Sequence, residues 1–489
     1  MSARGRQICK GGQVSVLMQK RRTKIVCTLG PACAGEVLKH LITAGLNVAR
    51  LNCSHGTLEE HAEWIRRVRE ISQAKGKPVA ILLDLAGPKL RVGEVPSGQM
   101  PLRAGQAFTL SLAPVPPEEA GVQVDFPEII AETPPGARIL LADGQIELRV
   151  ENKTGEALHC RVSVGGVLRS RVGINFPSHS LSVPALTPKD REDIRFAVNQ
   201  GVDYLGLSFV HSPQDVVDAR ELVRSLGGDL SIIAKIEKHE ALENLDAILK
   251  EADGLMVARG DLGVEVALER VPVIQKQIIA AANHAGKPVI TATQMLLSMM
   301  NHSHPSRAEA TDVANAILDG TDAVMLSEET AMGRYPVEAV NFLDKVSRVT
   351  EQHFPYLQWL RDRMPRGRQD ISEAISHAAC EMALDLEAGA ILTSTDSGAT
   401  ARLISRFRPR TPIIAVTYRQ ETWRRLSLVW GVSPLLAPQI ENTDHMLQVV
   451  EEVALKAGWL KSRERVVITA GTPIGARGTT NLIKADIIS

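Results

Sequence analysis

Between Thr23 and about residue 345 the chain repeats one pattern: a short, almost unbroken apolar run, a polar loop, then a segment with apolar positions at helical spacing. Eight such runs stand out: KIVCTLG (24–30), NVARLN (47–52), AILLDL (80–85), YLGLSFV (204–210), IIAKIE (232–237), GLMVAR (254–259), VITATQ (289–294) and AVMLSE (323–328). Continuous apolar runs predict strands buried on both faces, and their alternation with amphipathic helices predicts a parallel sheet. Eight units predict a closed (β/α)8 TIM barrel. The alternative is an open doubly wound sheet, and the missing GxGxxG after the first run counts against it. Local signals place helix starts. In LTPKD (186–190) Thr187 is the expected N-cap, with Pro188 at N1 and Asp190 at N3 of a helix to about Asn199. In GRYPVEAV (333–340) Pro336 opens the helix after the eighth strand.

The pattern breaks once, between the third strand and Thr187. There the chain is rich in Val, Gly and Pro and alternates with period two, as in IELRVENK (146–153) and ALHCRVSV (157–164). That predicts a small antiparallel β domain inserted after the third strand, overhanging one end of the barrel as a lid. After the charged connector RDRMPRGRQD (361–370) a second α/β pattern follows: helix 371–387, strand 389–395, helix from Ala399, strand 412–417, helix 420–428, strand 432–437, helix 443–457, strand 465–471 and a closing strand in NLIKADII. The expected plan is an N-terminal extension over 1–22, the barrel over 23–88 and 185–360, the lid over 89–184, and a C-terminal α/β effector domain over 361–489.

Composition narrows the partners. Lys plus Arg equals Asp plus Glu, 56 each. No global field points to nucleic acid or an acidic membrane, so any anion site must be local. No apolar run has the length of a membrane span. The cysteines at 9, 27, 33, 53, 160 and 380 make no CxxC pair and no zinc spacing. Reduced thiols in a cytoplasmic protein are the expectation.

The chemistry lies where the predicted strands end. Arg50, Asn52, Ser54 and His55 follow the second strand, Asp84 ends the third, and Lys235 and Glu237 end the fifth. Arg259 and Asp261 follow the sixth, Thr293 and Gln294 end the seventh, and Ser327, Glu328 and Glu329 end the eighth. Each has a structural role open to it, as turn former, cap or surface ion pair. In a barrel, however, all of them converge on one mouth. Arg50 and Lys235 suit a phosphoryl group. Glu237 and Asp261 are hard oxygen ligands for a divalent metal. GDLG (260–263) offers backbone N–H groups at a turn for a carboxylate. Neither a Ser–His–Asp arrangement nor a thiol nucleophile is evident, so phosphoryl transfer by positioning and charge neutralisation fits best. Met295, Met299 and Met300 read as core filling.

VARLNCSHG (48–56), LLDLAGPKLR (82–91), IIAKIEKHEAL (232–242), MVARGDLGVEV (256–266), ITATQMLLSM (290–299) and the stretch from Pro305 to Val340 resemble pyruvate kinase. The resemblance implies a barrel with an inserted lid and a C-terminal effector domain, usually in a homotetramer. It implies transfer from phosphoenolpyruvate to ADP, giving pyruvate and ATP, with Mg²⁺ or Mn²⁺. By resemblance Lys235 stabilises charge on the phosphoryl group and the enolate, and Glu237 and Asp261 hold the metal. Arg50 holds the substrate phosphate, while Gly260, Asp261 and Thr293 hold its carboxylate. Asn52, His55 and Arg91 match nucleotide-contacting positions. Thr293, with Ser327 and Glu329, matches the relay that protonates the enol carbon. Another barrel enzyme acting on a pyruvate enolate, or a non-catalytic metabolite sensor, are the competing readings.

Several positions depart from the family. Val172 stands where a lid lysine is common, with Arg171 beside it, and Leu297 replaces a usual glutamate. K⁺-dependent members read DTKGPEIR where this chain reads DLAGPKLR. A monovalent-cation site would use positions matching Asn52, Ser54, Asp84 and the backbone of Leu85. Lys89 in place of glutamate puts a tethered cation beside it, so K⁺ is expected not to be required. In the C-terminal domain TSTDSGAT (393–400), with Ser394, Thr395, Asp396, Ser397, Gly398 and Thr400, has the composition of a phosphate cradle. The loop GTPIGARGTT (471–480) would close over it with Arg477 on the ligand. The expected effector is a sugar monophosphate or AMP.

Overall fold

The computed structural model describes residues 21–116, 118–177, 179, 181–363, 370–472 and 479–488. Cys9, Arg477, most of the expected N-terminal extension and most of the connector lie outside them. Eight parallel strands close into a barrel, β1 (Lys24–Thr28), β2 (Val48–Asn52), β3 (Ala80–Asp84), β4 (Tyr204–Leu207), β5 (Ser231–Ile236), β6 (Gly254–Ala258), β7 (Val289–Ala292) and β8 (Ala323–Leu326). Each pairs with its neighbours in sequence, and β8 pairs with β1. Alternation along the strands feeds two cores. Val26, Val48, Leu82, Ile233, Met256 and Ile290 fill the barrel interior. Ile25, Leu51, Ile81, Leu83 and Ile232 face the surrounding helices. Burying each such side chain is worth about 1.5–3 kcal/mol.

Caps fix the helices that aim the loops. Thr187 and Asp190 form the expected capping box at the head of Pro188–Asn199. Thr57 with Glu60, and Ser306 with Glu309, do the same for Leu58–Lys75 and Arg307–Leu318. Pro336 opens the helix Pro336–Glu351 as expected. The chain leaves β3 for the lid at Gly87, whose φ is +65° and whose added Cβ would lie 2.7 Å from the Phe209 ring. The Gly87 N–H donates to Asp190 Oδ1 at 3.1 Å, tying the chain leaving for the lid to the helix that begins on its return.

The lid is a six-stranded sheet in the order Ile174–Asn175, Arg138–Leu141, Ile146–Lys153, Ala157–Val164, Ala107–Ser111, Gly121–Gln123. A separate pair joins Gly166–Arg169 to Gln99–Leu102. The sheet is antiparallel except at Ala107–Ser111 with Gly121–Gln123, which run parallel. That parallel pair departs from the expected all-antiparallel domain. The short strand returns through the connection after Ser111 rather than a hairpin.

The C-terminal sheet runs β11 (Val432–Leu436), β10 (Ile413–Thr417), β9 (Ala390–Ser394), β12 (Arg465–Ala470), β13 (Leu482–Ile487), with only β13 antiparallel. This domain closes the N-terminal end of the barrel. Leu428 joins the interior core. Arg408, buried, pairs with Asp322 at 3.0 Å and donates to Asn283 Oδ1 at 2.6 Å and to the Gly320 carbonyl at 2.9 Å. The expected N-terminal extension is anchored at its end. Arg21 pairs with Asp344 at 3.1 Å, and the Arg22 and Thr23 N–H groups donate to the Glu351 carboxylate.

Removing Arg408 leaves Asp322 buried without its cation and strips donors from Asn283 and Gly320. Arg408→Met is therefore expected to cost about 3–5 kcal/mol. The check is the midpoint of urea unfolding followed by tryptophan fluorescence; an unmoved midpoint would refute the role.

Candidate active site

The C-terminal strand ends place the charged side chains in one mouth. Asn52 and Gly206 both pair with Asp84 across neighbouring strands, which sets these ends at one level. Asp84 is fully buried. Its Oδ2 accepts from Arg50 Nε at 2.6 Å, and its Oδ1 lies 3.2 Å from Lys235 Nζ. Lys235 Nζ also lies 2.9 Å from Glu237 Oε1 and donates to Ser208 Oγ at 2.7 Å. Ser208 in turn donates to the Leu85 carbonyl at 2.6 Å. Arg50 Nη1 donates to Thr28 Oγ1 at 2.9 Å. Glu237 Oε2 accepts the Phe209 N–H at 2.7 Å.

Burial works against every charge here, and the neighbours decide the outcome. Burial alone would raise the Asp84 carboxyl, but Lys235 and Arg50 hold it below the ordinary aspartate value. Burial likewise opposes the Lys235 ammonium, yet Asp84 and Glu237 push its pKa well above the usual lysine value. Glu237 is raised, first by burial and then by the negative charge of Asp261, with Lys235 only partly offsetting them. Two carboxylates that repel each other beside a low-dielectric wall fit a divalent cation, and the donor set is all oxygen. Glu237 and Asp261 are the residues that would hold it.

Asp261 does not sit on a turn. GDLG forms the first part of a short helix, Arg259–Glu265. The Gly260 N–H donates to Thr293 Oγ1 at 2.9 Å, so the structure brings Gly260, Asp261 and Thr293 together. Thr293 has φ +66° and Gln294 φ +55°. A β-branched residue in that region is strained by about 1–3 kcal/mol. Arg259 restrains the turn, donating to the Ala292 carbonyl at 3.2 Å and the Thr293 carbonyl at 2.6 Å while pairing with Asp312 at 2.6 Å.

Of the relay candidates, Ser327 and Glu329 are in direct contact. Glu329 is buried, accepts the Leu296 N–H at 3.0 Å and the Ser327 N–H at 2.7 Å, and is raised chiefly by burial. Ser54 and His55 are exposed on the loop after β2, and Asn52 Oδ1 accepts the Ser54 N–H at 3.2 Å. Arg91 lies on the lid side, exposed, donating to the Arg171 carbonyl at 2.9 Å. Leu85 is buried, and Lys89 reaches across the cleft to Asp261, with Nζ 3.9 Å from Oδ1. Val172 packs against the lid core, and Leu297 is exposed; nothing in the structure explains the change at Leu297. Met295 and Met299 are buried as expected, and Met300 is only partly buried.

Sequence reading missed Thr28, Ser208 and Asp312, which orient Arg50, Lys235 and Arg259. Thr28 and Ser208 follow the rule applied elsewhere, a polar residue at the C-terminal end of an apolar run. Asp312 sits on a helix and carries no such signal.

In the C-terminal domain Thr395 Oγ1 accepts the Gly398 N–H at 2.9 Å, with Gly398 at φ +80°. Arg402 donates to the Ser397 carbonyl at 3.1 Å and Thr422 Oγ1 to the Asp396 carbonyl at 2.6 Å. Asp396 faces Arg419 at 3.7 Å, and Ser394 is partly buried at the end of β9. Thr400 Oγ1 meets Thr480 Oγ1 at 2.9 Å, so the end of the loop that contains Arg477 reaches this turn.

Comparison with known proteins supplies the family. The family model described as pyruvate kinase, barrel domain, matches residues 20–340. The one described as pyruvate kinase, alpha/beta domain, matches residues 373–485. The chain is 48% identical over 473 residues to pyruvate kinase 2 of Synechocystis, covering 96% of this chain and 79% of that protein. It is 47% identical over 475 residues to pyruvate kinase of Geobacillus stearothermophilus, covering 96% and 81%. It is 40% identical over 471 residues to pyruvate kinase of Clostridium acetobutylicum, covering 96% and 100%. No helix among the described residues is long and apolar enough to cross a membrane. Matched through both its barrel and its C-terminal domain, the chain belongs to the pyruvate kinase family and is a phosphotransferase of phosphoenolpyruvate and ADP.

Proposed function

We propose that this family member performs the transfer at the mouth centred on Lys235. The observation that supports this most is the ammonium itself: buried, kept charged by Asp84 and Glu237, and aimed by Ser208. A β-phosphate oxygen of ADP attacks phosphorus, the bond from phosphorus to the enol oxygen breaks, and the electron pair stays on that oxygen as an enolate. Lys235 faces this developing charge at no reorganisation cost. Arg50, held by Asp84 and Thr28, grips the transferring phosphoryl group. Gly260 and Thr293 orient the substrate carboxylate, with Asp261 beside them. A divalent cation such as Mg²⁺ or Mn²⁺ on Glu237 and Asp261 would neutralise phosphoryl and enolate charge. A proton delivered at the enol carbon through Thr293, Ser327 and Glu329 completes pyruvate. Asn52, His55 and Arg91 face the nucleotide side.

An aldolase or lyase of a pyruvate enolate would leave the lid and the GPKLR segment without a task, and a sensor would not need Lys235, Glu237, Asp261 and Thr293 together. Five described cysteines, all buried and free, fit a cytoplasmic enzyme. Leu268, Val273 and Met332, large apolar side chains at 73%, 57% and 63% exposure, fit subunit contacts in a homotetramer.

K⁺ is not required in this reading. Arg50 and Lys235 engage both Asp84 oxygens, Ser208 occupies the Leu85 carbonyl, and Lys89 brings a fixed cation to Asp261. The turn from Ser394 to Thr400 binds the phosphate of an activator, a sugar monophosphate or AMP, with Arg477 contributing from outside the described residues.

Lys235→Met is expected to lower kcat by about 10²–10³ or more in a folded protein. A coupled pyruvate assay with phosphoenolpyruvate, ADP and Mg²⁺ reads it, and near-normal turnover removes Lys235 from the chemistry. Activity with a bulky organic cation as the sole monovalent species should rise less than about tenfold, 1.4 kcal/mol of barrier, when K⁺ is added. Lys89→Glu should create a K⁺ requirement. Sugar monophosphates and AMP should activate at sub-saturating phosphoenolpyruvate, and the response should vanish in Thr395→Ala/Ser397→Ala. An unchanged response in that variant would move the effector elsewhere.

A further inference from the structure

Three ligating atoms converge just outside the mouth. His239 and Glu240 open the short helix His239–Glu243 after β5, and Glu265 ends the helix Arg259–Glu265 after β6. His239 Nδ1 lies 3.1 Å from Glu240 Oε2 and 3.5 Å from Glu265 Oε2. All three atoms lie within 4.8 Å of one another. Each is buried and none makes a hydrogen bond of good geometry, although the pairing with Glu265 raises the His239 imidazole above its ordinary value and His239 helps to hold the Glu265 carboxyl down. One ring nitrogen carries at most one proton and here faces two carboxylate oxygens. Buried polar atoms left in this state are costly.

Glu265 is not free to turn away. It is 3% exposed, and its Oε1 accepts from Lys238 Nζ at 2.8 Å and from Asn175 Nδ2 of the lid at 2.9 Å. That leaves Oε2 facing the histidine. The separations match a coordination sphere. Ligands roughly 2.0–2.1 Å from a tetrahedral ion stand about 3.3 Å apart.

We propose that His239, Glu240 and Glu265 form a binding site for a divalent transition ion, separate from the Glu237 and Asp261 pair. The donor set selects the ion. An imidazole beside two carboxylates favours Zn²⁺, Co²⁺ or Mn²⁺ over Mg²⁺, which prefers oxygen and gives up its water reluctantly. Lys238 offsets one carboxylate, so the imidazole nitrogen carries more of the affinity. His179 of the lid lies in the same cleft as Glu240 and Asn175 but outside the 4.8 Å cluster. Its Nδ1 is buried without a hydrogen bond. An ion on His239, Glu240 and Glu265 would fix Glu265 where Asn175 of the lid already holds it.

A proton on His239 would instead make these atoms a histidinium–carboxylate cluster, and metal titration separates the two. Full-length protein in saturating Mg²⁺ is titrated with Co²⁺ while its d–d absorption is followed. The expected result is one Mg²⁺-resistant Co²⁺ per chain with a nitrogen-ligated spectrum, displaced by stoichiometric Zn²⁺. This signal should persist in Glu237→Gln/Asp261→Asn. Its affinity should fall roughly tenfold or more in both His239→Gln and Glu240→Gln, each confirmed as folded by circular dichroism. No Mg²⁺-resistant binding overturns the proposal. So does binding unchanged by both substitutions, or binding lost only when Glu237 and Asp261 are changed.

Discussion

The mouth depends on Asp84. A carboxylate with no exposure to water stands between Arg50 and Lys235, and Lys235 passes the charge on to Glu237. Two cations and two anions thus balance inside a wall of apolar strands. Removing any member leaves a buried charge without a partner, a loss of about 3–5 kcal/mol. Asp261 lies outside this balance, at the half-exposed rim, and leaves one surplus negative charge there. The electrostatics therefore have a direction. Arg50, Asp84 and Lys235 hold one another in place, while Glu237, only partly offset by Lys235, and Asp261 beyond it face the place for a divalent cation, with Lys89 alongside.

Backbone strain is concentrated at the same level of the barrel. Thr293, Gln294 and Phe209 all have positive φ. The Phe209 N–H is spent on Glu237, and Thr293 Oγ1 on the Gly260 N–H. The strain persists because stronger contacts over-determine it. Arg259 is the main restraint at Thr293, with Asp312 holding the guanidinium in turn. The proposed function puts Thr293 at the proton-delivery step. The structure shows what that position costs and which residues meet the cost.

The barrel was legible because its signal is local and repeated. Eight apolar runs of about the same length can be counted, and each strand end lies within a few residues of where its run stops. The lid hairpins Ile146–Lys153 and Ala157–Val164 were equally plain from their alternation. The parallel pairing of Ala107–Ser111 with Gly121–Gln123 was not, because each is short and register there is set by tertiary contact rather than a turn. The principal charged groups of the site could be read from strand ends, but their orienting partners could not. Asp312 is 53 residues from Arg259 and sits on an ordinary amphipathic helix. Lys89 shows the same limit. Its charge next to the cation position was readable, while its closest acid, Asp261, is a contact made only by folding the lid over the barrel.

The other end of the barrel carries its own buried charges, and these bind the C-terminal domain to the catalytic one. Asp203 receives Arg69 from the barrel and Arg424 from the C-terminal domain, each at 2.8 Å. Asp322 receives Arg408, and the buried Lys24 donates to the Val432 carbonyl at 2.7 Å, its pKa brought down to about 7 chiefly by burial. Such groups are tolerable only while the domain is docked, so the two halves cannot separate without exposing a core and stranding charge. Docking also shortens the path between the mouth and the proposed effector turn. Thr422, which donates to the Asp396 carbonyl of the turn proposed to hold a phosphate, shares the helix Gln420–Arg425 with Arg424. Asp203 immediately precedes β4, and Ser208, which receives the Lys235 hydrogen bond, immediately follows it. Contact alone is not coupling; a coupled element must have two arrangements that both sites bias. The buried links are poor candidates, because shifting Asp203 strands two guanidinium groups. The adjustable part of the proposed effector site is its turn, where the Gly398 N–H and the Arg402 guanidinium donate to Thr395 Oγ1 and the Ser397 carbonyl, contacts that a bound phosphate would have to replace.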